Sequence, residues 1–115
     1  MVSSLILQKG MKMFDSRRGR FATYGVISQL PGEIIDTFWI IIDQNLQGIF
    51  KLAKVINFNL VNNKGLLSIV YSQENSPFSV TFDLNTPFRK NYPELILAYD
   101  DGNSQTILLP TEAQT

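Results

Sequence analysis

Pro31-Gly32-Glu33-Ile34-Ile35-Asp36-Thr37-Phe38-Trp39-Ile40-Ile41-Ile42-Asp43-Gln44-Asn45-Leu46-Gln47-Gly48 is the stretch whose periodicity decides the architecture. Ile34, Ile35, Phe38, Trp39, Ile42 and Leu46 recur at the period of one helix face, while Asp36, Asp43, Gln44 and Gln47 fall largely off it. Pro31 suits the first helical turn, where a missing N–H costs nothing, and Glu33 suits the positive end of the helix. Gly48 suits a left-handed stop. The spacing therefore predicts a helix over 31–47. Ile40 and Ile41 widen the apolar surface beyond one stripe, so the helix is expected to be covered on more than one side.

Upstream, Phe21 to Leu30 is rich in β-favouring residues and reads as a strand, with Gly25 as a bulge or a point of close backbone approach. Downstream, the apolar period changes to two. Ile56, Phe58 and Leu60 alternate with Val55, Asn57, Asn59 and Val61 in a strand over about 52–61. Asn62-Asn63-Lys64-Gly65 is a hairpin signal, and the next strand puts Leu67, Ile69 and Tyr71 on one face. A turn at Glu74-Asn75-Ser76-Pro77 leads to a strand alternating Phe78, Val80, Phe82 and Leu84 with Ser79, Thr81 and Asp83. Residues 85–93 read as a loop. Two short strands, 95–99 and 105–109, flank an Asp100-Asp101-Gly102-Asn103 turn, and 110–115 reads as a frayed end.

The fold class expected is α+β: an antiparallel sheet of about five to six strands, in the order β-α-β-β-β-β-β, as a meander packed against one main amphipathic helix. Residues 1–20 are expected to form a basic N-terminal arm or edge strand, 21–110 a single domain, and 111–115 a tail. The Leu5-Ile6-Leu7 patch suits an edge strand or a loose arm, and Met11 and Met13 offer alternative starts.

With 115 residues, the chain is long enough for one self-sufficient core. It contains no histidine and no cysteine. Ser–His and Cys–His nucleophile pairs, disulfides and thiolate zinc sites are thereby excluded. The formal net charge is zero, yet the first twenty residues hold Lys9, Lys12, Arg17, Arg18 and Arg20 against Asp15 alone. No apolar run approaches a membrane span, and the first residues lack the pattern of a signal peptide. The expected location is the cytoplasm, with no membrane partner.

Arg20-Phe21-Ala22-Thr23-Tyr24-Gly25-Val26, Leu30-Pro31 and Phe38-Trp39-Ile40-Ile41-Ile42-Asp43 together resemble domain-of-unknown-function family 960. These are small proteins of staphylococci, enterococci, streptococci and their mobile elements. Met13-Phe14 fits the family's usual start. The resemblance covers about residues 13–60, with the later strands matching only loosely, and the N-terminal decapeptide and Arg17-Arg18 have no counterpart in it. It implies one compact α+β domain in a mobile-element setting, and no site residues.

Several features have a functional and a structural reading side by side. The basic segment, with Phe14 and Phe21 among its cations, either grips phosphates and stacks a base or is a solvated arm. Trp39 is either core or an interface anchor. Asp100 and Asp101 fit turn chemistry better than a metal or acid pair, and Lys64-Gly65 lacks the context of a phosphate loop. The loop carrying Phe88, Arg89, Lys90 and Tyr92 between two prolines is either an interface hot spot or is pinned by its own aromatics.

The functional expectation is a small binding protein without catalytic, metal or cofactor residues. Its specific form is a mobile-element-encoded inhibitor of a host defence nuclease, resembling anti-CRISPR proteins, that occludes a protein or nucleic-acid surface. The expected partner is a protein, in that form a nuclease or ribonucleoprotein. Partner-binding candidates are Arg17, Arg18, Arg20, Phe88, Arg89 and Tyr92. The alternative is a nucleic-acid-binding regulator using the basic arm. An enzyme ranks last, since its base would have to be a perturbed Asp, Glu or Lys. Either a monomer or a homodimer is compatible with the pattern.

Overall fold

In the computed structural model, residues 12–114 are described. The readings that fall on the first eleven residues, namely the Leu5-Ile6-Leu7 patch, Lys9 and the start at Met11, lie outside them. The elements run β1 (Gly19–Ala22), α1 (Tyr24–Gln29), α2 (Gly32–Ile41) continuing into a π turn (Ile42–Leu46), β2 (Val55–Asn63), β3 (Leu66–Ser72), β4 (Ser79–Pro87), β5 (Leu95–Asp100), β6 (Ser104–Leu108) and a 3-10 turn (Pro110–Gln114). The molecule is α+β, a six-stranded, mostly antiparallel sheet with one main helix.

The helix follows its sequence pattern except at Ile40, which is exposed, so the covering on more than one side that Ile40 and Ile41 suggested is not found at Ile40. Ile34, Phe38, Ile41, Ile42 and Leu46 are buried against the sheet, and Gly48 ends the run at φ +81°. Phe38 stacks at a tilt on Phe58 of β2, with ring centroids 5.0 Å apart. The β2–β3 hairpin also follows its pattern. Lys64 and Gly65 both have positive φ, the geometry that a two-residue turn needs to match the twist of its strands. The Asn62 side-chain oxygen accepts the Gly65 N–H at 2.7 Å. Ile56, Phe58, Leu60, Leu67, Ile69 and Tyr71 then point into the core.

Three further expectations are corrected. Phe21–Leu30 is not one strand: β1 stops at Ala22, Thr23 caps α1 by accepting the Val26 N–H, and Gly25 sits inside that helix. A side chain at position 25 would collide with the Glu112 carboxylate and Leu109, so glycine makes room for the C-terminal turn. That turn is itself the second correction. Glu112 accepts from the Leu109 N–H and the Thr23 hydroxyl, at 2.8 and 2.7 Å, where a frayed end was expected.

The third concerns strand order, which is β1-β6-β5-β2-β3-β4 and not a simple meander. β5 pairs with β2, giving the Greek-key arrangement in which a fourth strand returns beside the first. The segment between β4 and β5 is the return connection. Its Phe88 and Tyr92 rings meet edge to face at 6.0 Å, with Tyr92 buried in the core and Phe88 packed against it. β1 joins the far edge, parallel to β6.

Candidate interaction surface

The arginines of the N-terminal segment are largely used within the fold. Arg18 makes a two-pronged bond to Asp100, at 2.7 and 2.6 Å, and also donates to the Lys12 carbonyl. Asp100 is fully buried. It additionally accepts the N–H groups of Phe14 and Gly102 at 2.6 and 2.8 Å. Burial alone would push this carboxyl up, but Arg18 and the two N–H donors outweigh it and hold it below its ordinary value.

Arg20 lies 4.7 Å from the centroid of the Trp39 ring and bonds Asp43 through two oxygens, at 2.8 and 2.6 Å. Its Nε donates to Gln105, whose amide in turn donates to the Asp15 carbonyl. Gln47, at the end of the helical run, donates to the carbonyls of Met13 and Phe14. Phe14 is buried at φ 57°, in the left-handed region. Residues 12–20 are therefore a latch that joins the helix end to the β5–β6 hairpin, where the sequence suggested an arm.

Arg17 differs from its neighbours. It pairs with Asp15 at 2.6 Å, yet its side chain is 75% exposed. The side-chain and backbone bonds from Arg17 hold the Asp15 carboxyl well below the carboxylate range. Of the six candidate residues, the structure brings Arg17, Arg18 and Arg20 into this latch. Phe88 and Tyr92 go to the crossover, and Arg89 stands exposed beside it. The two groups do not form one surface.

The apolar residues most open to water lie elsewhere. Tyr24 is 84% exposed, Ile49 70% and Phe78 61%. Ile49 and Phe78 stand apart from each other in sequence, whereas Tyr24 is joined by the exposed Phe21 and Ile27 in the corner where β1 passes into α1. The sequence singles out Phe21 only as part of the basic segment, and it hides Tyr24 and Ile27 because the stretch reads as a strand. The available signal was Thr23 as a helix cap and Pro31 as a stop, which leaves Val26 facing inward and Tyr24 and Ile27 outward. On the sheet face away from the helix, Val55, Leu97, Tyr99 and Leu108 line a groove of about 430 Å³. It adjoins a second of about 550 Å³ that reaches Lys54 and Glu74. Neither gathers a catalytic constellation. Among the described residues, no group of three or more carboxylates could hold a metal ion, and no helix is long and apolar enough to cross a membrane.

These features define a small α+β domain with a packed core, a polar latch and exposed aromatic residues. A family model of staphylococcal proteins of unknown function, DUF960, matches residues 19–112, and the chain belongs to that family. A crystal structure of a protein of unknown function from Enterococcus faecalis is similar to it, with 46% sequence identity and a TM-score of 0.84, over 86% of this chain and 93% of that one. No curated protein matches the chain.

Proposed function

We propose that this protein is a non-enzymatic binding module that docks on a protein partner through the corner formed by Phe21, Tyr24 and Ile27, with Arg17 nearby in sequence. The observation that carries the reading is the 84% exposure of Tyr24, a side chain that stabilises contacts strongly once desolvated. The more specific form, occlusion of a surface on a host defence nuclease, is supported by the mobile-element setting that the family resemblance implies. The nucleic-acid reading is weakened because Arg18 and Arg20 are already bound to carboxylates inside the fold.

A photo-crosslinker at position 24 should capture a discrete protein from the host lysate, and one at position 64, in the β2–β3 turn, should not. Phe21→Ala with Tyr24→Ala should weaken that complex by about tenfold or more. Equal capture from both positions would overturn the reading. So would salt-sensitive DNA or RNA binding that Lys12→Ala with Arg17→Ala abolishes, which would favour the regulator instead.

A further inference from the structure

The described sheet has two edges of unequal character. β1 has four residues and turns at once into α1, whereas β4 has nine. Along β4, Val80, Phe82 and Leu84 face the helix side but are only half-buried, although Ile69 and Tyr71 on the neighbouring strand are fully buried. The register with β3 shifts between Asp83 and Pro87, so the regular part of this edge is Ser79–Asp83. That part carries neither of the usual blocks to edge pairing, a lysine or a proline. Its one charge, Asp83, accepts the Ser68 hydroxyl at 2.6 Å.

We propose that this edge joins two copies of the chain, with the β4 strands antiparallel about Thr81. A strand edge with no neighbour among the described residues asks for another extended backbone, and the charge pattern selects the register. Centring the pair on Asp83 would set two carboxylates face to face, which is unfavourable. Centring it on Phe82 would run Val80 against Leu84, at the irregular part. Centred on Thr81, the regular segment pairs completely. Val80 lies opposite Phe82 of the second copy, Ser79 opposite its Asp83, and Thr81 opposite its own equivalent. The half-covered apolar row of each copy is then continued by that of the other, and one sheet runs through both.

Thr81 is exposed, so charged residues there are compatible with the monomer fold. Sedimentation velocity from about 1 to about 100 μM should show a concentration-dependent dimer. Thr81→Lys and Thr81→Glu, each with unchanged circular dichroism, should weaken it by about tenfold or more, because like charges then meet at the twofold axis. Mixing the two variants should restore a heterodimer. The proposal is overturned if the unmodified protein stays monomeric throughout, or if both variants dimerise unchanged. It is equally overturned if Thr81→Lys alone tightens the dimer, since that would place the lysine opposite Asp83.

Discussion

The β2–β3 hairpin and the Lys12–Arg20 latch both fasten strands to the sheet, by opposite means. The hairpin is local: two residues with positive φ close it, and alternating apolar side chains fix which face turns inward. The latch is nonlocal, since Arg18 meets Asp100, and Gln105 meets Asp15, across most of the chain. In the hairpin, burial of hydrocarbon does the stabilising. In the latch, a buried carboxylate and a guanidinium stabilise only as a set, because each is costly without the other.

That contrast can be broken most forcefully at Asp100. Asp100→Ala leaves Arg18 and the Phe14 N–H without their acceptor, and should cost about 3–5 kcal/mol in urea unfolding. A loss below about 1 kcal/mol would mean that the latch is ornamental to stability. Acidification probes the same set more gently. Asp15 and Asp100 are held below the ordinary carboxylate range, so below about pH 4 the unfolded chain binds more protons than the folded one. Stability is therefore fully present above that pH and is lost as pH falls toward the folded values. Melting temperatures measured from about pH 6 to about pH 3 should fall less steeply in Asp100→Asn than in the parent. An identical slope would remove Asp100 from the acid response.

The hairpin should yield the smallest loss. Gly65 sits at φ 92°, so Gly65→Ala should cost about 1–2 kcal/mol without loosening residues 12–20, which amide exchange can follow. Enhanced exchange at Phe14 in that variant would show that the two regions are coupled.

The same distinction explains what the sequence disclosed. Periodic elements such as α2 and the β2–β3 hairpin were legible because their apolar positions repeat within a few residues. α1 was not: one short helix with a single buried residue, Val26, shows no period, and its Tyr, Val and Ile mimic a strand. Arg18 and Arg20 read as a phosphate grip or a solvated arm because their partners, Asp43, Asp100 and Gln105, are distant in sequence. Tyr92 resembled a loop hot spot because the crossover that buries it depends on β5 returning to β2. The fold class was therefore readable, while the exposed corner at Tyr24 emerged only once α1 replaced the expected strand.

The parallel seat of β1 against β6 has a consequence for synthesis. A ribosome must make Ser104–Leu108 before Gly19–Ala22 have their sheet neighbour, so the earliest strand among the described residues is the last to be housed. Chains that stop short of β5 and β6 would lack Asp100, so the Phe14 N–H and the Arg18 guanidinium would miss their buried acceptor, while Arg17 and Arg20 would still have Asp15 and Asp43.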